Sequence, residues 1–204
     1  MPGGLYDHGR GAQETVIYQG IQSALPGPLR RYILHFEAAI EAAVGEFAAS
    51  LGPGARVLDA GAGEGQYADR FRAHRYTGVD LGVGDGSWNY SDLDAVADLI
   101  ALPFRDSTFD AALNVVTLEH VPEPARVVEE LFRVLRPGGT LLMIVPHEWE
   151  EHQTPHDYFR YTRYGMYTCW SVLGSKLWQS IRWEDSSGCY RGGCSMHCSS
   201  FPVR

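Results

Sequence analysis

The chain has 204 residues and a formal charge of −8 from 17 basic and 25 acidic side chains, with 45% hydrophobic and 21% charged residues. These proportions fit one globular domain and exclude disorder, a collagen repeat and a membrane-spanning run. The acidic balance opposes a surface that neutralises phosphate backbones, so neither nucleic acid nor membrane is an expected partner.

Residues 1–28 are rich in Gly and Pro, show no sustained period, and read as a flexible N-terminal arm or lid. No apolar run flanked by basic residues occupies the first 25 positions, so the chain is expected to be cytoplasmic. A helix follows, with Leu29, Ile33, Phe36, Ile40, Val44, Phe47 and Leu51 at steps of three and four, and Gly52-Pro53-Gly54 stops it. Arg56 to Ala60 is a first strand. Gly61 to Gly65 forms a turn, and Tyr67, Ala68 and Phe71 at helical spacing predict a helix after it. Tyr76 to Asp80 is a second strand, Ala95 to Leu99 a short third one, and Phe109 to Val116 a fourth. Pro122 and Pro124 then lead in a helix with Val127, Val128, Leu131, Val134 and Leu135 on one face, stopped by Pro137-Gly138-Gly139. Thr140 to Val145 is a fifth strand, apolar as a strand buried on both faces should be. Strands alternating with helices predict a doubly wound α/β domain with a mostly parallel sheet, in which ligands sit at the carboxyl ends of the strands.

The residues that follow the strands are therefore the informative ones. Asp59-Ala60-Gly61-Ala62-Gly63-Glu64-Gly65 places an acid at a strand end and then glycine at every second position. Glycine permits close backbone approach and positive φ. A dinucleotide fingerprint needs G-x-G-x-x-G, but Gln66 stands where its third glycine belongs. Asp80 ends the second strand about 20 positions after Asp59, the usual distance for a carboxylate that accepts from ribose hydroxyls. Taken alone, Asp98 is a turn acid.

In order and spacing, residues 55–166 resemble the class I S-adenosylmethionine-dependent methyltransferases, of the small-molecule type that includes the ubiquinone and menaquinone enzymes. The segments that carry the resemblance are VLDAGAGEG, GVD, DLIALPF followed by STFDAALNVVTLEHV, and ELFRVLRPGGTLLMIVP. It implies a Rossmann-like methyltransferase domain over 29–166 with S-adenosylmethionine as cofactor. Carried over by position, Asp59, Gly61, Gly63 and Gly65 would line the methionine end, with the helix N-terminus after Gly65 near its carboxylate. Asp80 would take the ribose, Leu81 would flank the adenine, and Asp98 with Leu99 would bind the adenine amino group. Asn114 would lie beside the methionine amino group and the sulfonium. The cofactor supplies the electrophile and the protein supplies orientation, giving in-line methyl transfer to a small molecule. The alternative is a methyltransferase-like binding or scaffold module without turnover.

A general base is needed only for a hydroxyl or protonated amine acceptor, and His120, after the fourth strand, is the candidate; its other reading is a helix-entry residue with no proton to move. The segment 146–164 is dense in aromatic, His and Arg residues. His147, His152, His156, Tyr158, Arg160 and Tyr161 are read as shaping the acceptor site or as a polar network fixing the loop, with Thr162 as a helix N-cap. His147, Glu151, His152 and His156 are close in sequence, but Pro155 breaks the helix that would align them, so no metal is assigned. Trp88-Asn89-Tyr90 either covers the adenine side or packs on the sheet.

All four cysteines, Cys169, Cys189, Cys194 and Cys198, lie in the last stretch of the chain. Residues 167–204 show neither the helix nor the antiparallel strand pair with which this fold should close, and are read as an aberrant, frameshifted tail. Back-translated in a shifted frame, Tyr167 to Arg191 can yield a helix ending in Gly followed by an apolar strand. On that reading the C-terminal strand pair is missing or altered and the fifth strand has an uncovered edge. A divergent tail and a zinc knuckle of Cys189, Cys194, His197 and Cys198 are the alternatives.

Overall fold

The computed structural model describes residues 35–84, 86–162, 164–166, 168 and 181–182. Its order is α1 (His35–Ser50), β1 (Arg56–Ala60), β2 (Arg75–Asp80), β3 (Ala95–Val96), β4 (Phe109–Val115), α2 (Pro124–Val134), β5 (Leu135–Ile144) and β6 (Ile181–Arg182). The strands form one sheet in the order β3-β2-β1-β4-β5-β6, and every pair is parallel. This is the doubly wound α/β architecture, with its switch of strand order between β1 and β4.

Side chains alternate across a strand, and here the alternation sorts the core into two layers. Val57, Ala111, Leu113, Val115, Leu142 and Ile144 pack with Ile40, Val44 and Phe71 on the α1 side. Leu58, Ala60, Ala112, Leu141, Met143 and Val145 pack with Val127, Val128, Leu131 and Val134 of α2 on the other. Strands buried on both faces are apolar at consecutive positions for this reason. A fully buried Leu such as Leu58, Leu113 or Leu142 contributes about 2–3 kcal/mol of transfer free energy.

Several boundaries differ from the sequence expectation. The expected start of the first helix and the arm at 1–28 lie outside the described residues. The helix expected after the glycine turn is only a 3-10 turn, Ala68–Phe71. Phe71 alone of it is buried, so a short turn is enough to seat that ring. Strand β3 stops at Val96, and Asp98 caps a second 3-10 turn by accepting from the Ile100 N–H at 3.1 Å. Strand β5 starts earlier than expected. Its register shifts between Phe109↔Leu135 and Ala111↔Thr140, so Arg136 to Gly139 form a bulge opposite Asp110, to which Arg136 is paired at 2.8 Å.

Most of the tail lies outside the described residues, its four cysteines among them. The uncovered edge of β5 is corrected in part: β6 joins it in parallel, Leu141 opposite Ile181 and Leu142 opposite Arg182. Among the described residues no antiparallel pair closes the sheet, and no helix is long and apolar enough to cross a membrane.

Candidate active site

A cavity of about 730 Å³ opens where β1, β2 and β4 end. Two loops pinch it at the switch of strand order. After β1 the chain turns through Gly61, Gly63 and Gly65, all with positive φ, and the N–H groups of Gly61 and Ala62 both donate to Val79 O. After β4, Val116 takes φ +50°, a costly conformation for a β-branched residue, and the Thr117 hydroxyl, with a single hydrogen to donate, lies 3.0 Å from Val115 O and 3.3 Å from Gly61 O. No side chain other than hydrogen fits at Gly61, because an added Cβ would lie 2.7 Å from the Thr117 Cβ and against its other atoms.

At one end the cavity is lined by Gly61, Ala62, Gly63, Asp80, Leu81, Asp98 and Leu99. The Asp80 carboxylate accepts from Gly63 N at 2.9 Å and from Gly82 N at 2.8 Å, which folds the glycine loop onto the end of β2. Trp88 covers this end. Its ring lies 3.5 Å from where a Gly63 Cβ would stand, and its neighbours are fixed by Asn89 N donating to Glu64 and Gly84 N donating to Tyr90 Oη. At the other end the wall is Thr117, His120, Val121, Trp149, Gln153 and His156, while Ile40, Glu41 and Tyr67 close the α1 side.

The structure thus assembles Gly61, Gly63, Asp80, Leu81, Asp98 and Leu99, but three other expected residues do not line the cavity. Asp59 shares its face of β1 with Val57 and points under α1, buried, accepting from the Tyr76 hydroxyl at 2.7 Å. Burial pushes its carboxyl up to about 7, with Tyr76 opposing and Asp80 adding to the rise. Asn114 is fully buried and donates to Ala60 O at 2.6 Å, tying β4 to β1. Gly65 stands clear of the wall, and without an α-helix behind it there is no helix N-terminus to face a carboxylate.

Of the six residues read as shaping the acceptor end, only His156 lines the cavity. The others form the polar network. Arg160 donates to both oxygens of Asp157 at 2.6 and 2.8 Å, and to the carbonyls of Trp149, Glu150 and Phe159. Burial works to raise the Asp157 carboxyl, but Arg160 and the His152 N–H outweigh it and hold it at about 2. Tyr161 is buried and donates to Leu118 O, the His147 ring meets Tyr161 O at 3.2 Å, and Tyr158 stands 44% exposed with its N–H on Glu119 O. Thr162 Oγ1 accepts from Gly165 N, the N-cap bond the sequence suggested.

His120 is in the wall, yet neither ring nitrogen is turned to the cavity: Nδ1 meets His156 O at 2.6 Å, and Nε2 is buried without a hydrogen-bond partner. Burial lowers its pKa. In this geometry direct proton transfer to His120 requires the ring to turn. The metal grouping weighed from sequence does not form among the described residues; His152 instead meets Glu119 and His120. Burial pushes the Glu119 carboxyl up to about 8.

Sequence reasoning offered Trp88 as a cover of the adenine side, but passed over Thr117, Trp149, Gln153 and the α1 residues Ile40 and Glu41 as wall residues. The signal for Trp88 was present: a large aromatic in an insertion just after a strand end.

Comparison with known proteins places this geometry. Residues 58–143 match the family model described as a methyltransferase domain. A protein of Mycolicibacterium smegmatis, named as a probable S-adenosylmethionine-dependent methyltransferase, is 38% identical over 100 residues, covering 46% of this chain and 39% of that one. A demethylmenaquinone methyltransferase of Renibacterium salmoninarum is 38% identical over 99 residues, covering 45% of this chain and 41% of that one. The chain thus spans less than half the length of these two relatives. Among solved structures, the complex of a Haloferax volcanii methyltransferase-like protein with the Trm112 methyltransferase activator superposes with a TM-score of 0.53 at 26% identity, covering 65% of this chain and 67% of that one.

Proposed function

We propose, for a chain whose residues 58–143 are a methyltransferase domain of the S-adenosylmethionine-dependent class I fold, that it moves the cofactor's methyl group to a small-molecule acceptor. The observation that carries this reading is the two-ended cavity at the switch of strand order. One end presents the glycine loop and carboxylates, the other aromatic and imidazole side chains.

In this reading the Asp80 carboxylate and Leu81 receive the ribose and adenine, and Asp98 with Leu99 bounds the far side of the base. Gly61 and Gly63 face the methionine portion, where the lack of a Cβ lets the ligand lie against the backbone. The cofactor supplies an electrophilic carbon on a sulfonium. When bound, that sulfonium would give its methyl group to the acceptor atom, with the neutral thioether as leaving group. The protein's contribution is orientation: about 7–11 kcal/mol of barrier can come from holding both partners in a near-attack geometry. Thr117, Trp149, Gln153 and His156 border the acceptor's space. The net charge of −8 favours a small molecule over a polynucleotide as acceptor.

Calorimetric titration with S-adenosylmethionine, its demethylated product and NAD tests the cofactor assignment: the first two are expected to bind and NAD is not. Tight NAD binding with none of S-adenosylmethionine refutes it. Methyl-release assays on extracts fractionated by size and polarity then test turnover. Cofactor binding with no turnover in any fraction returns the scaffold reading.

A further inference from the structure

Glu119, His120 and His152 come from two separate segments, the turn after β4 and the loop after β5, and one donor atom from each lies within 4.8 Å of the other two. The Glu119 side chain is fully buried, and among the described residues neither carboxylate oxygen has a hydrogen-bond partner. The Nε2 atoms of His120 and His152 are likewise buried without partners, and each stands 3.8 Å from Glu119 Oε1. The nearby cation, Arg160, is committed to Asp157.

The tautomers sharpen the point. His120 Nδ1 lies 2.6 Å from His156 O and His152 Nδ1 lies 3.0 Å from Glu150 O. A carbonyl only accepts, so both Nδ1 atoms carry the hydrogen, and in the neutral imidazoles both Nε2 atoms present lone pairs. The Arg160 guanidinium is also 3.4 Å from His152 Nδ1, a longer contact than the carbonyl. Three lone-pair donors thus converge in a buried space, and a proton on Glu119 could serve only one of the two imidazoles. Imidazoles whose other nitrogen donates to a backbone carbonyl are arranged as metal-bound histidines are.

We propose that Glu119, His120 and His152 bind a divalent transition-metal ion of the zinc class. Two imidazole nitrogens and one carboxylate oxygen suit zinc and its borderline neighbours rather than magnesium or calcium, which take oxygen donors. With bonds of about 2.1 Å, tetrahedral donors stand about 3.4 Å apart, so the observed 3.8 Å separations need only small side-chain rotations. Three protein donors leave a coordination position that no described residue fills. The site is independent of the cofactor assignment, and its effect is to fasten the loop after β5 to the end of β4, behind the acceptor end of the cavity. His120 then acts by holding the ion and the loop.

The test is metal titration of the chelator-stripped full chain with Zn2+ and Co2+, beside Glu119→Gln and His152→Asn. The four cysteines are present in all three proteins, so whatever they bind cancels in the difference. The wild type is expected to take up about one more equivalent than either variant, with affinity at that site reduced more than about 100-fold in the variants. At a Zn2+ concentration about 100 times Kd its Tm should rise by about 5–10 °C. Equal uptake by all three proteins overturns the proposal. The Co2+ visible spectrum of the wild type decides even if a variant fails to fold: bands of a nitrogen- and oxygen-ligated ion are expected, and their absence, or thiolate bands alone, overturns it.

Discussion

Replacing Gly61 by Ala tests how the two cavity loops fit together. The residue has φ +91°, a conformation that costs an L side chain about 1–2 kcal/mol. The new methyl would also lie 2.7 Å from Thr117 Cβ. Rotating Thr117 does not relieve this, because Cβ is fixed by the backbone, so the loop must shift, at an overpacking cost of about 1–3 kcal/mol. Together the change should destabilise by about 2–5 kcal/mol, which for a domain of this size lowers Tm by about 5–15 °C. Thermal and urea unfolding of Gly61→Ala, Thr117→Gly and the double variant separate the two terms. The steric part should vanish in the double variant as a coupling energy of about 1–3 kcal/mol, while the φ part stays. Strict additivity, or a single variant within about 0.5 kcal/mol of wild type, refutes the argument.

Asp80→Ala should weaken S-adenosylmethionine binding by about 1–3 kcal/mol in a calorimetric titration, since the carboxylate both lines the cavity and folds the glycine loop; unchanged affinity moves the ribose elsewhere. Asp59 titrates near 7 in the fold and near its ordinary 3.8 when unfolded, so its contribution to stability is full below about pH 4 and is lost as pH rises through 7. The loss amounts to at most about 4 kcal/mol, and Asp59→Asn should flatten the urea-midpoint profile between about pH 4 and 7; parallel profiles would show that burial does not raise this group. Arg133→Leu removes hydrogen bonds to Leu102 O, Phe104 O, Asp106 and Glu130 that fasten the loop before β4 to α2, and should cost about 1–3 kcal/mol of unfolding free energy, a figure that a denaturant curve matching wild type would exclude.

What could be read from the sequence is what periodicity and local chemistry control. Strands β4 and β5 declare themselves as apolar runs, and α2 by Val127, Val128, Leu131 and Val134 recurring on one face. Asp80 is legible because it ends a strand, which is where the fold puts its ligands, whereas Leu81, Asp98 and Leu99 came from the family resemblance alone. The inward turn of Asp59 was available from parity, since it shares a face with Val57, but the resemblance pointed the other way. The 3-10 turn at 68–71 was not legible, because Tyr67 and Phe71 have helical spacing whether or not the hydrogen bonds run to the fourth residue. The meeting of Glu119 with His152 was least accessible of all. No local pattern links them, and only the pairing of β4 with β5 brings their loops together.

If the chain acts as proposed, the Arg160–Asp157 clamp bears on how an acceptor would be chosen. Its bonds to Trp149, Glu150 and Phe159 carbonyls fix most of the loop after β5 before any ligand arrives. The ordering entropy is therefore spent in folding, and acceptor binding need not include it. An acceptor of the wrong shape also meets a wall that cannot be remodelled without breaking a charge-assisted, two-pronged pair. Discrimination at that end should thus resemble a fixed mould, with poor fits rejected through weak binding and little dependence on how long the ligand stays.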